Sequence, residues 1–351
     1  VWYARKKHLY MAAPGTRALI TGICGQDGTY LAEHLLSLGY EVWGLARNPD
    51  LWRLTHLPVR LLKGDLLDRE SLKHAFVESD PSEVYNLAGW SDVGASFKFP
   101  EETFEANYTG LRNVVEEALA HNKNLRIYQA SSSEMFGNAP APQNENSPLL
   151  PVSPYATSKA RAYREIVKAY RKEGAFICSG ILFNHESPRR PKQFVTRKIT
   201  SSLAQIALGE LDHFSLGNIE ARRDWGFAGD YVKAMHLMLA REKPQDFVIA
   251  TAVAHSVREF IEAACVALHL PLQWEGEGVR EVGRNEKGDV IISISKEWYR
   301  PLEPHQLVGD PSRARTELPW SATTTFESLV GMMVKADVER IKSGVTYDMI
   351  S

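Results

Sequence analysis

The sequence predicts an α/β fold, a doubly wound parallel sheet with a smaller C-terminal lobe, and three observations carry that prediction. Short apolar strands alternate with amphipathic helical patterns through the first half of the chain. The first strand, residues 17–21, runs into the glycine-punctuated turn Gly22-Ile-Cys-Gly25-Gln-Asp-Gly28 and then a helix. Beyond Asn184 the alternation weakens, and Pro188, Pro191, Pro244, Pro271, Pro301, Pro304, Pro311 and Pro319 divide the chain into shorter elements.

The elements follow in order. Leu31, Leu35, Leu36 and Leu38 mark the first helix, which stops at Gly39. Strands are expected at 41–46, 59–62 and 83–88, with a helix at 69–76. A helical pattern over 103–121 precedes a strand at 126–130 and a loop rich in Pro, Asn and Ser at 138–154. A long helix over 155–173 and a strand at 175–183 complete the regular part.

The 351 residues carry 41 Lys plus Arg against 43 Asp plus Glu, so no excess of positive charge points to nucleic acid. The three cysteines, Cys24, Cys178 and Cys265, form no C-x-x-C pair, which argues against a disulfide framework or a metal site and fits a cytoplasmic location. Residues 1–10 lack the apolar run of a secretory signal, and Met11 reads as a natural start. No run of apolar residues is long enough to predict a membrane span.

Gly22, Gly25 and Gly28 let the backbone turn tightly and approach a pyrophosphate, which amides at the following helix start can hold. Gln26 and Asp27 lie in the same turn. At the end of the second strand Arg47 offers a cation to a ribose phosphate, so NADP is expected, with NAD kept as an alternative by Asp50. Asp65 and Leu66, after the third strand, are placed to meet the adenine, and Asp65 also reads as a helix N-cap. Leu87, near the end of the expected fourth strand, and Ser91, beyond it, complete the set expected to line the cofactor.

Tyr155 and Lys159 stand one helical turn apart on one face, where a cation beside a phenol is expected to lower its pKa and make a usable base. Ser132, at the mouth of the sheet, can hydrogen-bond a substrate oxygen. Glu134 can remove a proton made acidic by a neighbouring carbonyl, so oxidation followed by loss of water is the expected chemistry. As lone residues a capping glutamate or a solvated Tyr and Lys are commoner. Their grouping favours catalysis.

With these residues assembled, the chain resembles the extended short-chain dehydrogenase/reductases and, within them, the GDP-mannose 4,6-dehydratase family. The likeness rests on Thr21-Gly-Ile-Cys-Gly-Gln-Asp-Gly28, Tyr128-Gln-Ala-Ser-Ser-Ser-Glu134, Ser153-Pro-Tyr-Ala-Thr-Ser-Lys159, Gly180-Ile-Leu-Phe-Asn-His-Glu-Ser-Pro-Arg-Arg190, Phe194-Val-Thr-Arg-Lys-Ile199, Arg223-Asp-Trp-Gly226 and Arg300-Pro-Leu-Glu303. The resemblance implies a Rossmann-type fold, an NADP cofactor and conversion of a GDP-sugar to its 4-keto-6-deoxy form. It assigns Ser132, Glu134, Tyr155 and Lys159 to catalysis and places His185 and Arg190 near the cofactor. Asn184, Val195, Lys198, Arg223, Arg300 and Glu303 fall to the nucleotide sugar. It further implies a homodimer or homotetramer, with 1–14 an extension, 15–185 mainly the cofactor domain and 186–345 mainly the substrate lobe, their segments interleaved.

Four places depart from the family pattern. Ser132 stands for threonine, Trp90 for a glutamine, Val152 for an arginine, and Arg47-Asn-Pro-Asp50 shortens an Arg-Arg-Ser-Ser loop. A GDP-sugar epimerase or 4-keto reductase with the same Tyr155 and Lys159 is the alternative, and a non-catalytic NADP-binding protein a more distant one.

Overall fold

The computed structural model describes residues 13–49, 54, 56–298 and 306–344. Asp50, Arg300, Glu303 and residues 1–12 of the expected extension lie outside the described residues. The strands are β1 (Arg17–Thr21), β2 (Glu41–Ala46), β3 (Arg60–Lys63), β4 (Glu83–Asn86), β5 (Arg126–Ser132), β6 (Phe176–Leu182), β7 (Asn184–Glu186), β8 (Phe214–Leu216), β9 (Arg222–Phe227), β10 (Phe247–Ile249), β11 (Ala254–Ser256), β12 (Gln273–Glu275), β13 (Val282–Arg284) and β14 (Val290–Ile294). Seven of them form one parallel sheet in the order β10-β6-β5-β4-β1-β2-β3, with the reversal of winding at β1 and β4 that makes a crevice at the strand ends.

Alternation along the strands sends neighbouring residues to opposite faces. Leu19, Val84 and Ile127 meet Leu72 and Phe76 of α2 (Arg69–Ser79), Leu111 and Val114 of α3 (residues 100–121) and Ile166 of α4 (residues 154–172). Ala18, Ile20 and Tyr128 face the other way, onto Leu31 and Leu35 of α1 (Gln26–Ser37) and Tyr231 and Met235 of α6 (Ala228–Leu239). Each buried Val, Leu, Ile, Phe or Met among them contributes about 1.5–3 kcal/mol by leaving water.

Both long helices contain one π-type turn, Glu105–Thr109 in α3 and Tyr163–Val167 in α4, and both start at a proline, Pro100 and Pro154. Proline's fixed φ suits the first helical position, which explains starts earlier than the expected 103 and 155. The fourth strand stops at Asn86, short of the expected 88. There Thr21 Oγ1 donates to Asn86 Oδ1 at 2.5 Å and accepts from Ala88 N at 3.2 Å, so a side chain takes over from the ladder. The fifth strand runs two residues past its expected end and carries Ser132 itself.

The remaining strands make a three-stranded sheet, β11-β9-β7, and a four-stranded sheet, β12-β13-β14-β8. Their core joins Ile199 and Leu203 of α5 (Val195–Ala207), Phe260 of α7 (Val257–Ala267) and Leu329 and Met333 of α8 (Phe326–Lys342) to Phe214 and Ile292. Within it Arg197 Nε reaches both carboxylate oxygens of Asp337 at 2.9 Å, both residues being almost fully buried. No helix among the described residues is long and apolar enough to cross a membrane.

Candidate active site

The glycine turn at the end of β1 is shaped by close backbone approach. Gly22 has φ +70°, and a Cβ there would lie 2.8 Å from Ala88 N; a Cβ on Gly28 would lie 2.5 Å from Ile23 Cα. Gly25 is the N-cap of α1 and brings no side chain to it, so no cap side chain takes up the first-turn amides of this twelve-residue helix. Glycine backbone at the crevice of a doubly wound sheet, ending in an uncapped helix, fits a dinucleotide pyrophosphate.

Gln26 and Asp27 face the segment that follows β6. Gln26 Nε2 donates to His185 O at 3.0 Å and Ser187 Oγ donates to Gln26 Oε1 at 2.7 Å. His185 Nε2 lies 2.8 Å from Asp27 Oδ2, and its Nδ1 lies 2.8 Å from Phe183 O. Both acceptors call for a proton on the ring, so the geometry suits imidazolium. Burial opposes charge on each group, but the pairing outweighs it, holding Asp27 below and His185 above their ordinary values.

Around this cradle, Arg47 is exposed just beyond β2, Leu87 N donates to Thr21 O at 3.3 Å, and Ser91 is exposed in the loop after β4. Asp65 is not the N-cap of α2. That cap is Asp68, whose carboxylate accepts from Glu70 N and Ser71 N, while Asp65 Oδ1 accepts from Leu67 N at 2.9 Å and so turns the chain after β3. Leu66 O accepts from Asn113 Nδ2 at 2.9 Å, tying this turn to α3.

Ser132 ends β5, and its Oγ accepts from Glu134 N at 3.2 Å, capping the turn Ser133–Phe136. Tyr155 sits in the first turn of α4, fixed by the Ser153 cap and by its own N–H, which donates to Ser96 Oγ at 3.2 Å. The Ser132 hydroxyl and the Arg190 charge both favour ionisation of the Tyr155 phenol, and the Glu134 charge opposes it. Ser132, Glu134, Tyr155 and Lys159 are all buried, at 6 to 9% exposure, which removes the solvent that would screen them.

Lys159 corrects one expectation. Its Nζ donates to Ala130 O at 3.1 Å and lies 5.9 Å from the Tyr155 ring centroid. Burial pushes the phenol up to about 12 despite the lowering influence of the Ser132 hydroxyl, and pushes the ammonium down to about 8. In the ligand-free protein desolvation therefore governs both groups, and the phenol is not lowered.

Asn107, in the π-type turn of α3, is a supporting residue that sequence reasoning missed. Its Oδ1 accepts from Trp90 N at 2.9 Å and its Nδ2 donates to Ser158 Oγ at 3.1 Å, next to Lys159. Nothing in its sequence context distinguishes it from a surface asparagine. Trp90 Nε1 donates to Asp92 O at 2.9 Å and its ring lies 6.0 Å from that of Phe99, so the indole is a packed loop aromatic.

On the other side of the crevice, Asn184 of β7 pairs with Trp225 of β9, two residues from Arg223. Arg223 is 6% exposed and its Nη1 donates to Arg222 O at 2.8 Å. Its neighbour Asp224 is wholly buried and accepts from Thr251 N and Oγ1, Ala252 N and Gly309 N. Val195 and Lys198 occupy the first turn of α5, which has no acidic residue and no side-chain cap. Arg190 Nε lies 3.1 Å from Glu186 Oε2, with its guanidinium over the Phe194 ring.

The sequence profile of the family described as GDP-mannose 4,6 dehydratase matches residues 19–333. A GDP-mannose 4,6 dehydratase of Drosophila melanogaster is 44% identical over 342 residues, 93% of this chain and 87% of the relative. The Homo sapiens protein of that name is 43% identical, covering 95% and 94%. The fold is shared with an epimerase structure from Methanothermobacter thermautotrophicus, at TM-score 0.79 and 20% identity, covering 97% of this chain and 96% of that one. Sequence likeness over almost the whole length and the doubly wound sheet agree, and the chain belongs to the GDP-mannose 4,6-dehydratase family.

Proposed function

We propose that this protein dehydrates GDP-mannose, or a close GDP-sugar, to the GDP-4-keto-6-deoxy sugar with NADP as cofactor. The observation that carries the reading is the gathering of buried Ser132, Glu134, Tyr155 and Lys159 at the end of a strand next to the glycine cradle, with Glu134 N on Ser132 Oγ and Lys159 Nζ on Ala130 O. Gly22, Gly25 and Gly28 would hold the pyrophosphate, Arg47 the ribose phosphate and Asp65 and Leu66 the adenine end. Asn184, Val195, Lys198 and Arg223 would hold the GDP-sugar, with Arg300 and Glu303 assigned by family likeness alone.

Tyr155 takes the proton of the sugar 4-hydroxyl, and Ser132 holds that oxygen in line. Bound NADP would supply the acceptor for the carbon 4 hydride and return it at carbon 6. Lys159, held by Ala130 O, stands beside the phenol and can orient a ribose. Glu134 removes the carbon 5 proton, acidified by the new ketone, and delivers a proton to the departing 6-hydroxyl. The proton taken by Tyr155 balances the one restored to carbon 5, so the sum is substrate minus water.

Mass spectrometry of a reaction with GDP-mannose and NADP tests this directly. The expected product is lighter by one water and carries a 4-keto group, without net use of NADPH. Stoichiometric NADPH consumption would instead identify a reductase, and no product from any GDP-hexose despite bound cofactor would sink the proposal.

Three further readings accompany it. Residues 15–185 form mainly the cofactor part and 186–345 mainly the substrate part, interleaved by α6 and β10, which pack with the first sheet. A second copy binds through α3 and α4, whose starts flank a groove of about 540 Å³ lined by Pro100, Phe104, Val152 and Pro154. A reducing, cytoplasmic setting agrees with Cys24, Cys178 and Cys265, none of which is in a disulfide among the described residues.

A further inference from the structure

Lys198 and Trp298 form a pair that the catalytic chemistry does not use. The Lys198 ammonium lies 3.7 Å above the centroid of the Trp298 indole, and among the described residues no carboxylate pairs with it. Its first-turn position in α5 sets it among amides that already favour negative charge, so a cation there lacks a local reason to stay. Partial burial lowers its pKa, another cost of holding an ammonium at that place. The indole face is the compensating partner.

Trp298 itself is unusually placed. It is 57% exposed, whereas the other large exposed apolar side chains of the described residues are aliphatic apart from Phe99. Its backbone packs closely on the Gly217 turn, where a Cβ on Gly217 would lie 2.5 Å from Trp298 O, and its N–H donates to Ser295 O at 3.3 Å. A closely packed backbone that leaves the indole more than half exposed, with an ammonium on one face, matches a stacking platform beside a phosphate-binding cation.

We infer that Trp298 is a nucleotide-binding residue that stacks on the guanosine half of the GDP-sugar while Lys198 takes its diphosphate. The inference rests on the GDP-sugar reading and deepens it. A nucleoside is bonded directly to the phosphate that Lys198 holds, so its flat base comes within reach of the indole that positions the ammonium. Stacking on a π-face is tolerant of base identity, and specificity for guanine then falls to hydrogen-bonding groups elsewhere in the lobe.

Calorimetric titration of the NADPH-loaded protein with GDP tests the assignment. W298A is expected to raise the GDP Kd about tenfold, as loss of one base stack does, and W298F to stay within about twofold of wild type. W298L, which keeps apolar bulk without the ring, is expected to behave as W298A, and NADPH affinity is expected to be unchanged in all three. An unchanged GDP Kd in W298A and W298L overturns the assignment and leaves the GDP-sugar reading standing. Weakening of NADPH by the same factor overturns it also, since it marks a general structural role. A wild-type protein that takes up NADPH but no GDP overturns the GDP-sugar reading together with this one.

Discussion

The two sides of the crevice are built differently. On the cofactor side the central residues stand at strand ends or a helix start of one sheet: Gly22 after β1, Ser132 at the end of β5, Tyr155 in the first turn of α4. On the nucleotide-sugar side, Asn184, Arg223 and Lys198 come from a three-residue strand, a second strand paired to it and a helix. Those elements are tied to the rest of the lobe by buried polar contacts, Arg197 of α5 with Asp337 of α8 and Asp224 of β9 with the loops at Thr251 and Gly309. Backbone topology fixes the first side. Long-range side-chain pairs fix the second.

Glu134→Gln should break the contrast most sharply, because its effect belongs to chemistry alone. Water loss is expected to fall by about 10³-fold, at the scale of a general acid–base group, with NADPH and GDP binding intact. Steady-state rates beside calorimetry check it, and unchanged turnover would remove Glu134 from its role. Asp337→Ala strikes the second side instead. Leaving the Arg197 charge buried without this carboxylate is expected to cost about 3–5 kcal/mol, with hydrogen exchange rising first in α5 and α8. Exchange rising first in α1 or β1 would contradict the division.

Gly28→Ala is the counterpart on the first side. Its Cβ would overlap backbone, so a loss of about 1–3 kcal/mol is expected together with loss of NADPH binding, while GDP binding persists. Smaller effects sharpen the electrostatics. Replacing Lys159 by Met removes a buried ammonium whose pKa has fallen to about 8; after allowing for the lost Ala130 hydrogen bond, the ligand-free protein at pH 7 is expected to gain about 1 kcal/mol while losing activity. For wild type, the folded state binds fewer protons than the unfolded state between about pH 8 and 10.5, so this group makes stability rise with pH across that window.

The His185–Asp27 pair runs the other way. Its contribution, about 1 kcal/mol for a partly exposed pair, is full between roughly the ordinary Asp value of 3.8 and the ordinary His value of 6.5. It fades as pH rises through the elevated His185 value or falls through the depressed Asp27 value. Thermal melts of Asp27→Asn against wild type should differ most inside that window. A constant difference across pH would mean the pair does not titrate as a unit.

The same contrast explains what the sequence disclosed. Period-two strands and leucine-marked helices placed β1 to β6 and their helices within a few residues, because each is a local pattern that the sheet reinforces. Tyr155, Lys159 and Ser132 were legible because strand ends and a helix start bring them together whatever the rest of the chain does. Asn107 and Asp224 were not, since their meaning lies in partners such as Ser158 and Gly309, 51 and 85 residues away. Trp298 carried no signal either, because exposure and the approach of Gly217 are properties of the folded lobe. The phenol pKa was misjudged because spacing shows that Lys159 is near Tyr155 but not that burial outweighs it.

Strand β10 has a consequence for synthesis. It closes the sheet beside β6, and α6 just before it covers α1 on one face, yet both lie beyond residue 227. A ribosome that has released the first 185 residues has therefore supplied every proposed catalytic group but left apolar surface on α1 and the open edge of β6 without their covers. The nascent chain must carry that bare edge while more than sixty further residues emerge, and an exposed strand edge is the surface on which chains pair wrongly. Truncation between the two parts should thus yield an aggregating fragment, because the cofactor half reaches its native core only after the other half has begun to form.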